Sequence, residues 1–493
     1  MQSRSVERSF TRGVAWMSAG SLAARAVTLI GSVMLARLLL PEHFGLFSAA
    51  MVVIGVVQLV TDLGLGQALI AYPGDTRKAA SSIFYAILAT AGAAAFVVWV
   101  FADALAAVMR QPMLASVLRA LAVNVVVMAA ASVPLALMQK AHRWRGQAIL
   151  EFTTPIVSTS IMVSLAFLGF GAWSIVYGYV ARAVTMLVGV WWLSRWRPAL
   201  EMDWTVFASL FRFGKWIVLD RLSAFVLLTM DNLYLARWQG TKTLGYYALP
   251  YNWVNLPVQQ VVLQSQKVLF PVLTQLEDAQ ARAEMLLKAC RMFSFFVAPI
   301  YLFWLLNASL FVEGLFGPKW LPCVPVLQWL SVYALAHALA GGLMGSFYWA
   351  MKRPELAVFP FWAAIAVATA GLVYGGGRWG AVEVAQLFTL AMYVRASMMI
   401  YGLVRFYHVP LSNVLRAVTD GWLAALLASL SAATLSHLMR APAPVELAMG
   451  IVLHANLYLL VQGWLKYRKP LQYYRLAEWR TTLPNAGKAS PTS

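Results

Sequence analysis

The chain has 493 residues, of which 61% are hydrophobic and only 12% are charged, and its formal net charge is +19. Soluble domains contain far less apolar sequence. With a mean hydropathy of +0.70, this composition excludes a soluble globular protein and predicts an all-α polytopic membrane protein.

Apolar runs of about 20 to 28 residues recur along the chain, each long enough to cross a hydrocarbon core of about 30 Å. Windowed hydropathy predicts about 14 transmembrane helices. In chain order the predicted spans are 13–38, 44–70, 80–108, 114–138, 148–169, 172–194, 213–238, 243–270, 289–313, 322–350, 355–375, 379–404, 414–439 and 444–465. Only Gly169, Gly171 and a shift in apolar phase separate the fifth span from the sixth, so a total of about 12 or 13 spans also fits.

Lysine and arginine are distributed unevenly between alternate loops. The basic loops are the N-terminus, 76–78, 139–145, 194–198, 274–291, 351–354, 404–416 and the tail from Lys466. They hold roughly 24 of these residues, against roughly 8 in the other loops, and cationic loops remain in the cytoplasm. Both termini are therefore predicted to be cytoplasmic. This topology, with attraction to anionic membrane lipids, explains the charge without a nucleic-acid partner.

The chain offers no cluster of metal ligands. Its six histidines are scattered over different loops and spans, and no set of His, Cys or carboxylate residues has ligand spacing. No metal site and no cofactor are therefore expected. His337 lies inside a span, where we expect a buried histidine with satisfied ring nitrogens, a proton relay being the alternative.

The two halves of the chain repeat with an offset of 200 residues. The segment VMLARLLLPEHFGLF from Val33 faces LYLARWQGTKTLGYY from Leu233 without a gap. This register also aligns Trp16 with Trp216, and it aligns Gly45 with Gly245. The repeat predicts two pseudo-symmetric six-helix lobes related by an axis along the membrane normal. The predicted divisions are an N-terminal lobe 1–194, a cytoplasmic linker 195–212, a C-terminal lobe 213–404, two further helices in 405–465 and a basic tail 466–493.

A polar stripe interrupts the first span. In SAGSLAARAVTLIGS, steps of three or four residues join Ser18, Ser21, Arg25, Thr28 and Ser32 on one helix face. An arginine near mid-depth costs about 2.5 kcal/mol or more, so it should face protein or water. Arg25 is predicted either to contact a substrate or to pair with an acid on a neighbouring helix.

Similar polar positions occur in other spans and predict a polar, net cationic seam through the lobes. The candidate substrate-binding residues are Ser21, Arg25, Thr28, Gln58, Arg182, Arg221, Gln260, Gln264, Lys267 and Arg395. The candidate ion-coupling residues are Asp62, Asp220 and Asp231. Lys267 either snorkels to the interface or binds substrate. For Arg182 and Arg395, a cavity position and an ion pair both remain open.

Guanidinium groups bind phosphate bidentately and stay charged at physiological pH, whereas amides and hydroxyls suit sugars. The seam therefore favours an anionic, sugar-bearing substrate.

The loops are too short for a soluble catalytic domain, and no GxxxxGK[ST] sequence is present for ATP hydrolysis. A transporter is predicted, and not an enzyme. A membrane polysaccharide polymerase is disfavoured because that class usually exposes a large periplasmic loop.

Several stretches resemble a known family. LARLLLPEHFGLFSAA, TDLGLGQALI and DNLYLARWQGTKTLGYYALPYNWVNLPVQQ, followed by LFPVL, are similar to Wzx-type polysaccharide-transporter flippases of the multidrug/oligosaccharidyl-lipid/polysaccharide superfamily. The resemblance implies fourteen helices, with the first, second, seventh and eighth lining a central cavity. Asp231, Gly245, Tyr247 and Pro257 match the family pattern. Gly245 and Pro257 are interpreted as structural, at a turn and a kink, and Asp231 as a functional candidate.

The resemblance also implies a function. Undecaprenyl-pyrophosphate-linked oligosaccharide would be moved by alternating access across the bacterial inner membrane, for exopolysaccharide, capsule or lipopolysaccharide O-antigen assembly. Coupling to H⁺ or Na⁺ and consumption of the product are alternative energy sources. A polysaccharide polymerase and export proteins are candidate partners. The rival functions are a peptidoglycan lipid-precursor flippase and a multidrug cation antiporter, whose cavity should be acidic.

Overall fold

The computed structural model describes residues 24–62, 69, 76–141, 143–199, 225–276, 278–338, 343–419, 421–438 and 441–467. All regular structure within these ranges is helical. Ten stretches of the described helices are long and apolar enough to cross a membrane. The predicted class, an all-α multi-pass membrane protein, is confirmed, and the number of fourteen spans stays a prediction.

The helices of the described ranges are named here in chain order. The first six are α1 (24–38), α2 (Pro41–Asp62), α3 (Thr76–Val108), α4 (Leu114–Lys140), α5 (Trp144–Phe167) and α6 (Ala172–Ser194). The next six are α7 (225–238), α8 (Gly240–Gln275), α9 (Ala279–Leu306), α10 (Ala308–Phe316), α11 (Val324–Ala338) and α12 (Met344–Ala350), with a 3₁₀ turn, Pro318–Cys323, before α11. The last five are α13 (Glu355–Gly375), α14 (Ala381–Tyr407), α15 (Leu411–Thr419), α16 (Trp422–Leu438) and α17 (Ala443–Tyr467).

Turns lie where glycine supplies a left-handed backbone. Gly169 and Gly171 have φ angles of +83° and +56°, so the predicted turn between α5 and α6 is confirmed.

Two predicted spans are interrupted. The span 289–313 breaks at Asn307, whose side-chain amide donates to the carbonyl of Ser429 at 3.0 Å. The span 414–439 breaks at Gly421, where a φ of +86° is incompatible with a continuous helix.

The described residues form two compact units. The first contains the chain up to Asn252 together with Leu315–Val326 and Ala364–Phe388, and the second contains the rest. The division at residues 194, 212 and 404, which rests on the sequence repeat, stays a prediction.

In the first unit, α3 packs along α4, α4 also contacts α2 and α6, and α5 packs along α6. In the second unit, α9 packs on α15 and α16, and α16 packs on α17. Fully buried alanines at 424, 425 and 428 line the α9 and α16 contact. Small residues let membrane helices approach closely, which increases van der Waals contact.

The closest helix approach in the first unit joins the two copies of the repeat. A Cβ atom added to Gly45 would overlap the carbonyl oxygen of Thr241, and one added to Gly245 would overlap the carbonyl oxygen of Pro41. Residues 41 and 241 are themselves equivalent in the repeat, so the contact is reciprocal, as a two-fold relation between the copies requires. Gly245 lies inside α8, and its interpretation as a turn residue is therefore wrong. It is needed for helix packing instead.

Alanine at Gly45 or Gly245 is expected to destabilise the protein. The obstructing atoms are backbone carbonyls, which cannot rotate away, so overpacking should cost about 1 to 3 kcal/mol. Gly92→Ala in α3 is the matched control, because nothing lies within 4 Å of the position that its Cβ would take, and it should gain up to about 1 kcal/mol. Thermal unfolding in detergent measures both. Equal melting temperatures for Gly45→Ala and Gly92→Ala would contradict the close approach.

Candidate functional site

The turn before α11 caps the carboxyl end of α1. The indole Nε1 of Trp320 donates to the carbonyl of Ala36 at 2.8 Å, and Nζ of Lys319 donates to the carbonyl of Arg37 at 2.7 Å. Arg37 Nε returns a hydrogen bond to the carbonyl of Leu315 at 2.9 Å. The last four carbonyls of a helix lack partners within the helix, and these side chains satisfy two of them. We call Arg37, Lys319 and Trp320 the clasp.

Aromatic packing holds the clasp in place. Trp320 is fully buried, and its ring makes edge-on contacts with Phe44 of α2 at 5.3 Å and with Tyr246 of α8 at 6.0 Å between centroids. Burial lowers the pKa of the Lys319 ammonium, because the charged form loses hydration. The clasp thus ties the α1–α2 corner to the beginning of α8.

The equivalent corner in the second copy, between α7 and α8, is also tied. Gln239 Nε2 donates to the carbonyl of Gly377 at 2.8 Å, and the Trp379 amide donates to the Tyr234 hydroxyl at 3.2 Å. The loop between α13 and α14 is therefore hydrogen-bonded to the α7–α8 corner, just as the turn before α11 is hydrogen-bonded to the α1–α2 corner. Both fastenings lie at the end of the helices that the loop charges assign to the periplasm.

Asp231 joins α7 to α8. It is fully buried, and its Oδ2 accepts a hydrogen bond from the Tyr247 hydroxyl at 2.7 Å. Its Oδ1 accepts one from the Asn232 amide, also at 2.7 Å. These bonds give Asp231 a structural role in holding the two helices together. Its predicted role in ion coupling stays a prediction.

Arg25 is half-buried on α1, and Glu151 of α5 interacts with it electrostatically. A Cβ on Gly31 would overlap Thr159, so α1 lies directly on α5. The Thr28 hydroxyl is exposed and donates to the carbonyl of Ala24 at 2.9 Å. The ion-pair alternative for Arg25 thus has a named acid, and a substrate contact stays a prediction.

The remaining predicted site residues are only partly described. Gln58 is half-buried on α2, with its carbonyl accepting a hydrogen bond from the Thr61 hydroxyl at 3.1 Å, and Arg182 is exposed on α6. Ser21, Asp220 and Arg221 lie outside the described residues, as do Trp16 and Trp216 of the repeat. The side chains of Asp62, Gln260, Gln264 and Lys267 also lie outside the described part.

Arg395 is buried in the second unit. Its guanidinium lies 4.8 Å from the ring centroid of Phe361 and 3.9 Å from the sulfur of Met392. Among the described residues, no acid forms an ion pair with Arg395, and its Nε has no hydrogen-bond partner. The ion-pair alternative therefore has no partner in this part of the chain.

His337 neighbours this guanidinium electrostatically, and its ring stacks on Tyr333 with centroids 5.5 Å apart. Within the described ranges, the buried Nδ1 of His337 has no hydrogen-bond partner. The expectation that both ring nitrogens are satisfied is thus wrong at this atom. Arg395 is buried and His337 is half-buried, and in the described structure each keeps one buried ring or guanidinium nitrogen without a hydrogen-bond partner.

The clasp was not predicted from the sequence. Lys319 and Trp320 lie between two predicted spans, and Arg37 falls at the end of the first predicted span, inside the repeated segment that begins at Val33. The available signal was the run GPKW at 317–320, which joins a turn-forming pair to a cation and a tryptophan at a membrane boundary.

Comparisons with known proteins show the family to which the chain belongs. A family described as polysaccharide biosynthesis protein matches residues 34–325. The chain is 26% identical over 388 residues to the succinoglycan biosynthesis transport protein ExoT of Rhizobium meliloti, covering 77% of each chain. It is 24% identical over 403 residues to the lipopolysaccharide biosynthesis protein WzxC of Escherichia coli, covering 80% of each.

Two solved structures show the same fold. The lipid II flippase MurJ, in an inward closed conformation, aligns with a TM-score of 0.71 at 13% identity over 92% of this chain and 99% of that one. A multidrug MATE transporter of the MOP superfamily aligns with a TM-score of 0.58 at 14% identity over 79% and 98%. The predicted resemblance to Wzx-type proteins is confirmed, and the fold matches that of these two solved structures.

Tyr247→Phe should destabilise the protein by about 1 to 3 kcal/mol, because it removes a hydrogen-bond donor from the fully buried carboxyl group of Asp231. Tyr177→Phe on α6 is the control, since Tyr177 is exposed and should change stability little. Thermal unfolding of the purified protein measures the difference. If the two variants melt together with the wild type, the Tyr247 hydroxyl does not support Asp231.

Arg395→Met should stabilise the second unit by about 1 to 4 kcal/mol, because an apolar side chain of similar length replaces a buried charge without an acid partner. Arg405→Met, on the exposed surface of the same helix, should change stability by less than about 0.5 kcal/mol. Melting temperatures in detergent compare the two. A strong loss of stability in Arg395→Met would mean that the guanidinium is needed for folding.

Proposed function

Because the chain belongs to the polysaccharide biosynthesis protein family, we propose that it moves undecaprenyl-pyrophosphate-linked oligosaccharide repeat units across the bacterial inner membrane. It acts as a flippase and not as an enzyme. It serves exopolysaccharide, capsule or O-antigen assembly, and both of its termini face the cytoplasm. The names of the succinoglycan transport and lipopolysaccharide biosynthesis relatives support this range of products.

The placement of arginine within apolar helices is the observation that supports a pyrophosphate-bearing substrate. Arg25 is half-buried on α1 of the first unit, and Arg395 is buried on α14 of the second. A guanidinium in an apolar bundle is costly unless an anion or water receives its hydrogen bonds. A pyrophosphate supplies oxygen acceptors in the geometry that the guanidinium fork matches.

The transport step uses alternating access. The headgroup enters between the helices from the cytoplasmic side while the polyprenyl tail stays in the bilayer. The cytoplasmic side then closes, and the opposite side opens to release the headgroup. The direction of transport has two possible sources. One is coupling to H⁺ or Na⁺ through Asp62, Asp220 or Asp231, and the other is consumption of the product by a polymerase.

The deciding experiment separates the two roles left open for Arg25. Transbilayer movement of a lipid-linked oligosaccharide is measured in proteoliposomes for the wild type, Arg25→Ala, Arg25→Lys and Glu151→Gln. A phosphate ligand predicts that Arg25→Ala slows flipping about tenfold or more, with little rescue by lysine, which lacks the bidentate fork. Glu151→Gln should then keep full activity, because it removes a competing acid.

The alternative outcomes have distinct signatures. If Arg25 and Glu151 form a structural pair, both single variants lose flipping and stability, and the exchanged pair Arg25→Glu with Glu151→Arg restores them. Arg405→Ala, which removes an exposed arginine from α14, controls for net charge. A wild type that moves lipid II but no oligosaccharide-linked polyprenyl pyrophosphate would favour the peptidoglycan-precursor alternative and overturn the proposal.

A further inference from the structure

A histidine caps the beginning of α2. The backbone amide of Leu40, the residue before the helix, donates to the Nδ1 atom of His43 at 3.3 Å. The amide of His43 donates in return to the carbonyl of Leu40 at 3.1 Å. In a capping box, the third residue of a helix accepts a hydrogen bond from the amide before the helix, and that residue is usually Glu or Gln. His43 is the third residue of α2 and takes the place of this acceptor.

An imidazole can lose its acceptor when it takes up a proton. Nδ1 accepts a hydrogen bond only while it is unprotonated, so the bond from Leu40 requires a neutral ring with the proton on Nε2. Protonation turns Nδ1 into a donor that faces the donor amide of Leu40. An unperturbed histidine takes up this proton near about pH 6.5. The cap of α2 is therefore intact at neutral pH and is lost as the pH falls through this region.

The charges around the His43 ring come from two elements. Glu42, its neighbour on α2, attracts a protonated ring, and Lys319, in the turn before α11, repels it. The α5–α6 turn also approaches the ring, since a Cβ on Gly171 would lie 3.0 Å from Nε2, but residues 168–171 carry no titratable side chain. The amino end of a helix further disfavours a cation. A proton on His43 thus adds positive charge beside Lys319 and beside the positive end of α2.

His43 is connected to the clasp through the next residue. The ring of Phe44 makes the edge-on contact with Trp320 at 5.3 Å, so a displacement of the beginning of α2 also displaces the aromatic support of Trp320. Cys323, the last residue of the same 3₁₀ turn, is fully buried. Its thiol is shielded from a reagent while the turn stays packed. The reactivity of Cys323 therefore reports on the state of the clasp.

We propose that His43 is a pH switch for the α1–α2 corner, which caps α2 and keeps the clasp packed at neutral pH and loosens both in acid. The corner lies at the end of the helices that the loop charges assign to the periplasm, so the switch responds to the pH on that side. The second copy of the repeat has Thr243 at the equivalent position, and threonine does not titrate. The inference goes beyond the proposed function, because the loosening requires neither substrate nor transport.

The test follows the reaction of the Cys323 thiol with 4,4′-dithiodipyridine in the full-length protein in detergent, at about pH 7.5 and about pH 5.5, on either side of the histidine value. Cys290, the other cysteine, is replaced by alanine in all variants. His43→Gln is the matched reference, because glutamine accepts the same amide hydrogen bond but does not titrate. Rates are compared at the same pH, which cancels the effect of pH on the thiol itself.

The parent protein and His43→Gln should react at equal rates at about pH 7.5. At about pH 5.5 the parent should react about threefold or more faster, because it loses one hydrogen bond and gains a charge at a helix amino end. His43→Lys, which is charged and has no acceptor, should react fast at both pH values. His408→Asn removes an exposed histidine that follows α14, and it should keep the response of the parent.

Three results would overturn the proposal. In the first, the parent and His43→Gln react at equal rates at both pH values. In the second, His43→Lys reacts as slowly as His43→Gln. In the third, His408→Asn abolishes the response, which would place the titrating group elsewhere. If His43→Gln does not fold, His43→Glu replaces it, because glutamate accepts the same bond and stays ionised at about pH 5.5. None of these results bears on flipping, which the proteoliposome assay measures separately.

Discussion

The crossing of α2 and α8 at Gly45 and Gly245 is the constraint on which the first unit depends. At each glycine a backbone carbonyl of the other helix occupies the space that a side chain would need, so this close approach requires glycine at both positions. The crossing positions two consecutive aromatic residues of α8. Tyr246 reaches the clasp at Trp320, and Tyr247 reaches the carboxyl group of Asp231. One backbone contact thus organises both the corner of α1 and the pairing of α7 with α8.

The buried polar groups fall into two classes. Asp231 has a hydroxyl and an amide as hydrogen-bond donors, and in an apolar bundle such satisfaction stabilises one helix arrangement. Arg395 and His337 keep unused hydrogen-bonding atoms in the described structure. A protein that only needed stability would replace them with apolar residues. Their presence at a cost in stability accords with the substrate contact that is proposed above for Arg395.

Hydropathy was sufficient to predict much of the fold, because apolar length alone determines where a chain can cross a bilayer. The predicted spans 172–194 and 355–375 agree with α6 and α13 residue for residue. The breaks at Asn307 and Gly421 were missed, since one or two residues hardly change a window average. The position of Arg395 inside an apolar span was visible in the sequence, but whether an acid lies beside it depends on helices distant in sequence, and the described ones supply none. The clasp joins residues more than 280 positions apart through main-chain carbonyls, which leave no mark in the sequence.

The same use of main-chain acceptors has an evolutionary consequence. Lys319 and Trp320 donate hydrogen bonds to the carbonyls of Ala36 and Arg37. Every amino acid at these two positions would present the same main-chain carbonyl oxygen. Mutational drift along the end of α1 therefore leaves the acceptor half of the contact intact, provided that the helix persists. Selection on this contact therefore acts on the donor side chains, which are those of Lys319, Trp320 and Arg37.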